Sequence, residues 1–145
     1  MVDLLTKYIG NTKLKVQFAI ASFGRREIIR KVLNDVLGIK IASKIFITTP
    51  GDYTISGNKI GDGTDMGDNY KNLHLQNIFD RFCKDKTDYQ NVIFYDDTDL
   101  NVTSAKDKFA NLKGEIVAPF PNPKYPSEKK IEIVLKELED HITQT

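Results

Sequence analysis

The sequence predicts an α/β domain built on a mostly parallel sheet. Three observations predict it. Short β-rich apolar runs alternate with helix-period segments four times, each strand followed by a helix. No repeat, low-complexity tract or long linker interrupts that alternation. The 145 residues, 40% hydrophobic and 28% charged, suit one globular domain over 1–145 with a real core.

The elements follow in order. Val16-Gln17-Phe18-Ala19-Ile20-Ala21 is a near-continuous apolar run ending at Ser22-Phe23-Gly24, which predicts a buried strand reaching a turn. Over 25–37 the apolar residues Ile28, Ile29, Val32, Leu33, Val36 and Leu37 fall on one helix face, and Gly38 stops the helix. Ile45-Phe46-Ile47-Thr48 is a second strand, closed by Pro50-Gly51. Residues 51–69 read as a long polar loop with five glycines. Asp68 or Asn69 is placed to cap a helix over 70–84, whose buried face is Leu73, Leu75, Ile78, Phe79 and Phe82. Asn91-Val92-Ile93-Phe94-Tyr95 is a third strand, ending in Asp96-Asp97. A short helix carries Val102, Ala105 and Phe109 on one side, and Glu115-Ile116-Val117-Ala118 is a fourth strand, limited by the prolines after it. Ser127 caps a last helix with Ile131, Val134, Leu135, Leu138 and Ile142.

Composition excludes several function classes. A net charge of +1 gives no basic excess of the kind that nonspecific nucleic-acid or membrane binding needs. No apolar run approaches the roughly 18 to 20 residues of a membrane span. The first residues lack a signal-peptide core, so a cytoplasmic location is the expectation. The single Cys83, read as a core residue, excludes an internal disulfide, and two histidines are too few for a histidine-rich zinc centre.

In parallel sheets the site lies at the carboxyl ends of the strands, and polar groups stand at two such ends. Ser22-Phe23-Gly24 joins a strand to a helix, where a hydroxyl and backbone N–H groups suit an anion; the alternative is an ordinary capping serine. Arg25 and Arg26 are either a phosphate attraction or a solvated pair. Asp96-Asp97 sets two carboxylates beside a dry core, an arrangement that a divalent cation relieves; the alternative is two acids opening a loop. Lys71 opens a helix against the helix dipole, and His74 lies one turn later, either holding Lys71, touching substrate or packing. The run Gly61-Asp62-Gly63-Thr64-Asp65-Met66-Gly67-Asp68 does not follow the EF-hand spacing and reads as a loop.

Taken in order over about residues 14 to 120, these motifs resemble the haloacid dehalogenase superfamily, most nearly its magnesium-dependent phosphatases. The second motif of that superfamily is similar to Ala19-Ile20-Ala21-Ser22, the third to Lys71-Asn72-Leu73-His74, and the fourth to Val92-Ile93-Phe94-Tyr95-Asp96-Asp97 followed by Asn101. The resemblance implies a three-layer αβα Rossmann-like fold and the chemistry of phosphomonoester hydrolysis. It implies that Ser22, with Phe23 and Gly24 behind it, binds a phosphoryl oxygen and that Lys71, the catalytic cation, neutralises the phosphoryl group. It implies further that Asp96 and Asp97 hold Mg²⁺ and that His74 and Asn101 support these groups. The implied partner is a small phosphorylated molecule or a phosphoprotein.

The departure from the family lies at the start of the chain. The family's first motif, D-x-D-x-T/V, supplies the nucleophile and the acid/base from a strand before the second motif. The first fifteen residues contain no D-x-D, and Asp3 stands nineteen positions before Ser22, too close for a parallel crossover and its strand. Leu4, Leu5, Tyr8 and Ile9 instead resemble the end of the helix that precedes the second strand. The reading is therefore a domain of this type lacking its first strand, whether truncated, a fragment or degenerate, and inactive as it stands. Its exposed strand edges make a homodimer one expected outcome. The alternative is a non-catalytic binding or interaction module on the same scaffold.

Overall fold

The computed structural model describes residues 2–10, 16–62, 71–116, 136–137 and 139–140. They are a mixed α/β structure with short parallel strands. The chain divides into two compact units, Met1–Phe82 and Cys83–Thr145.

The first unit opens with helix α1, Val2–Ile9, where the resemblance implies the end of a helix. Strand β1, Ala19–Ala21, is followed by helix α2, Arg26–Leu37, the short helix α3, Ile39–Ala42, and strand β2, Phe46–Thr48. β1 and β2 pair in parallel, with Ala19 opposite Phe46, Ile20 opposite Ile47 and Ala21 opposite Thr48. Helix α4, Asn72–Phe82, completes the described part of this unit. The second unit repeats the pattern. A 3₁₀ turn, Lys86–Asn91, leads into strand β3, Ile93–Asp96; helix α5, Asp99–Lys108, then crosses to strand β4, Lys113–Ile116, which pairs parallel to β3. Each unit is thus one strand–helix–strand crossover with one two-stranded sheet. The described strands form two separate two-stranded parallel ladders rather than the single sheet expected from the sequence.

Two small cores follow from the patterning. In the first unit Ile9, Ile45 and Ile47 are buried together, and Phe18, Ile20, Ile29, Leu33, Leu37 and Ile41 pack against them. In the second, Phe94, Val102, Ala105, Phe109 and Leu112 are buried, which includes the three residues predicted for the inner side of α5. At Gly114 helix α5 lies close against β4: a Cβ there would stand 3.0 Å from Val102 Cγ1.

Several expectations need correction. The run before Ser22 is not covered on both faces. Ala19 is exposed while Phe18 and Ile20 are partly buried, because successive strand residues point to opposite sides and only one side meets the core. The six apolar residues of α2 span too wide an arc for one contact. Ile29, Leu33 and Leu37 pack inward, whereas Ile28, Val32 and Val36 remain more than half exposed. β4 begins two residues earlier than predicted, and Val117 and Ala118 lie outside the described residues. The loop after β2 is partly ordered. Tyr53 bridges Lys59 in antiparallel fashion, the Gly51 N–H donates to the Ile60 carbonyl at 2.9 Å, and Ile60 is buried. Cys83 is only partly buried; that burial, with Asp88 and Asp85 nearby, pushes its thiol up, so it stays protonated at neutral pH. Lys136, Glu137, Glu139 and Asp140 are helical. The apolar residues assigned to that last helix, its Ser127 cap and the predicted cap at Asp68 or Asn69 lie outside the described residues, as does the loop run from Gly63 on.

Two features set the turn between α2 and β2. Arg30 reaches across it, its guanidinium donating to the Ala42 carbonyl at 2.5 Å, which also accepts the Ile45 N–H at 3.1 Å, and to the Ile45 carbonyl at 3.2 Å. Gly38 separates α2 from α3 with φ +83° and ψ 151°, a conformation that side chains oppose. No atom lies within 4 Å of a Cβ built there, so strain alone decides a substitution. Gly38→Ala should destabilise the protein by about 1 to 3 kcal/mol in urea denaturation; unchanged stability would contradict this backbone geometry.

Candidate functional site

The residues proposed to meet a phosphoryl group all belong to the first unit. Ser22 follows β1 directly and continues its ladder: the Ser22 N–H donates to the Thr48 carbonyl at 3.1 Å. The Ser22 hydroxyl oxygen accepts the Gly24 N–H at 2.9 Å, which folds residues 22–24 into a tight turn. Ser22 is not the cap of α2. That helix is entered through Arg25, which makes no side-chain capping bond. A Cβ at position 24 would come within 3.2 Å of Ser22 Oγ, so the closeness of the turn favours glycine. Arg26 does not turn toward this loop as a free cation. It forms an ion pair with Asp52 and reaches Thr49 Oγ1 at 3.4 Å, while Asp52 also accepts the Thr49 N–H at 3.0 Å.

Lys71 and His74 come from the start of α4. The Lys71 carbonyl accepts the Leu75 N–H at 3.0 Å, so Lys71 stands at the helix entrance, as its sequence position implies. His74 is fully buried. Its Nδ1 lies 3.1 Å from the Thr48 carbonyl oxygen and 3.4 Å from Thr48 Oγ1. A carbonyl only accepts, so Nδ1 carries the hydrogen and Nε2 keeps a lone pair. That Nε2 is buried without a hydrogen-bond partner. Burial holds the imidazole down at about 4; the neighbouring Lys71 charge pushes in the same direction, and the Thr48 carbonyl and Asp52 oppose it. His74 is therefore neutral at pH 7. Its ring meets Phe23 edge to face at 5.2 Å between centroids, and Lys71 Nζ lies 5.5 Å from the centre of the Phe23 ring. The structure thus brings Phe23, Lys71 and His74 together, with Ser22 and His74 sharing the Thr48 carbonyl.

The polar side of α4 was not legible in its apolar period. Phe82 is largely exposed, stacked edge to face on Phe46, while Asn72, His74 and Asn77 are buried beside Leu75 and Phe79. Asn77 donates through Nδ2 to Thr48 Oγ1 at 3.3 Å. The available signal was three polar residues set among the apolar positions of one helix.

The carboxylates lie in the second unit, at the end of β3. Asp96 is buried; its Oδ1 accepts the Thr98 N–H at 2.8 Å and Asn101 Nδ2 at 3.2 Å. Asn101 is buried one turn into α5 and so orients Asp96. Asp97 is exposed, with the Thr98 hydroxyl 3.4 Å from its Oδ1. A pair of hard oxygen donors suits Mg²⁺, which takes one or two carboxylates and keeps its waters. The pair also holds its own turn, and among the described residues no cluster of three or more His, Cys, Asp or Glu is placed to hold a metal ion. Among them, too, no helix is long and apolar enough to cross a membrane.

Comparison of the chain with protein-family models, curated proteins and solved structures found no match.

The state of His74 makes stability depend on pH. Unfolded, the imidazole titrates near 6.5; folded, at about 4. Between those values the unfolded chain binds the additional proton, so stability is full above about 6.5 and falls as pH drops toward 4. From about pH 7 to pH 5 this contribution should fall by about 2 kcal/mol. Urea unfolding at both pH values, compared with His74→Gln, isolates it. An equal pH slope in the two proteins would contradict a buried neutral imidazole.

Proposed function

We propose that this chain is a phosphate-binding domain of the haloacid dehalogenase type, related to the magnesium-dependent phosphatases but without their nucleophile. The observation that carries the reading is the cluster at the carboxyl ends of β1 and β2. There the Ser22 N–H and the buried His74 meet on the Thr48 carbonyl, and the Phe23 ring contacts both His74 and the Lys71 ammonium. The fold that goes with this reading is a three-layer Rossmann-like arrangement, and the partner is a small phosphorylated molecule or a phosphoprotein.

In this reading each residue has a definite task. The Ser22 hydroxyl, whose oxygen already accepts from Gly24, donates its own hydrogen to a phosphoryl oxygen. Lys71 neutralises that group from the entrance of α4. In a full phosphatase these contacts stabilise charge on the transferring group, often the largest catalytic contribution. In the second unit, Asp96 and Asp97 would hold Mg²⁺. Asn101 keeps Asp96 oriented. Asp3 belongs to helix α1 rather than to a strand end, which does not suit the nucleophile of an aspartyl-phosphate step, so the reading is one of binding without turnover.

A non-catalytic module that keeps only the scaffold is the second reading. The observation in its favour is that the Gly24 N–H is satisfied by Ser22 and Asp96 Oδ1 is engaged by its own turn.

Two outcomes are expected. The purified chain should hydrolyse p-nitrophenyl phosphate with Mg²⁺ no faster than its Asp97→Asn variant; robust Mg²⁺-dependent turnover that the variant loses would overturn the non-hydrolytic reading. Titration with Mg²⁺ should shift the amides of Asp96, Asp97 and Asn101 only at millimolar concentrations, on the order of the weakest carboxylate sites. No shift there at tens of millimolar would reduce the pair to turn-forming acids.

A further inference from the structure

We infer that Phe23 is a positioning residue whose ring holds the Lys71 ammonium in place for an incoming phosphoryl group. The inference rests on the phosphate-binding reading above and adds to it how the cation is fixed.

A lysine ammonium is a point charge on a flexible four-carbon stem, and ordering it as an anion arrives lowers affinity. Here the ordering precedes the anion. Lys71 Nζ stands 5.5 Å from the Phe23 ring centre, inside the range in which the ring's negative face attracts a cation. The ring itself is fixed. It meets the His74 ring edge to face at 5.2 Å, with 79° between the planes. His74 cannot give way, because it is fully buried and bound through Nδ1 to the Thr48 carbonyl. That carbonyl also takes the Ser22 N–H, and Ser22 is the residue before Phe23. The hydroxyl and the ammonium are therefore carried on one frame: Thr48 fixes Ser22 and His74, the His74 ring packs on Phe23, and the Phe23 ring faces Lys71. The His74 imidazole is neutral, so it holds the ring without adding a second charge that would compete for the anion. Leucine at position 23 would fill a similar volume but has no π face. Tyrosine keeps the face.

The Lys71 ε-methylene resonances and the affinity for inorganic phosphate, measured by nuclear magnetic resonance on the whole chain, test this. In the wild type the ε-methylene protons should show an upfield ring-current shift. That shift should vanish in Phe23→Leu and persist in Phe23→Tyr. Phosphate affinity should fall roughly three- to ten-fold in Phe23→Leu and stay within about two-fold in Phe23→Tyr. An unshifted Lys71 resonance in the wild type overturns the inference by itself, even where Phe23→Leu does not fold. A wild type that binds phosphate no better than a folded Phe23→Leu overturns the inference and leaves the phosphate reading standing. A wild type that binds no phosphate overturns the phosphate reading, and the anion role of Lys71 with it, whatever the Lys71 shift.

Discussion

The carbonyl of Thr48 is the point on which the first unit turns. It lies at the end of β2, fully buried, and accepts two hydrogen bonds of 3.1 Å, one from the Ser22 N–H and one from His74 Nδ1. The first extends the β1–β2 ladder past its last paired residues and fixes where the chain leaves the sheet. The second attaches α4 to that same strand end. The Thr48 hydroxyl adds Asn77, so one residue engages both strands and the helix. A buried acceptor of this kind is costly to leave unmade, which ties the strand register to the placement of α4. A shift of one residue in β2 would set Ile47 or Thr49 in this place and turn every side chain of the strand to the opposite face.

Each unit solves the same problem on a small scale. A parallel pair needs a crossover, and each unit supplies one helix-bearing connection over its two short strands. α2 covers the sheet of the first unit with only half of its apolar arc, and the Arg30 guanidinium ties α2 to the Ala42 and Ile45 carbonyls of the turn that follows. In the second unit Gly114 allows Val102 against the strand.

Much of this was legible in the sequence, for identifiable reasons. Apolar period located β2, α2, α4, β3 and α5, and it named Val102, Ala105 and Phe109 correctly as an inner face. It overstated the burial of the first strand, because an apolar run does not say how many faces are covered. It missed Asn72, His74 and Asn77 as buried residues, because their burial depends on polar partners from another element and period counts only apolar ones. The positions of Ser22 and Lys71 at element ends could be read directly. Thr48 could not: a threonine in a β-rich run is ordinary, and its role follows from a register that one sequence does not specify. The Arg26–Asp52 pair joins residues across the β2 crossover and carries no local signal. The link between Lys71, Phe23 and His74 likewise arises only when two strand ends and a helix start meet.

The junction can be examined directly through the tautomer of His74. Long-range ¹⁵N–¹H correlation spectra at neutral pH should show a neutral imidazole with its hydrogen on Nδ1 and a bare Nε2, as donation to the Thr48 carbonyl requires. A hydrogen on Nε2 instead, or an imidazolium pattern at neutral pH, would contradict the account.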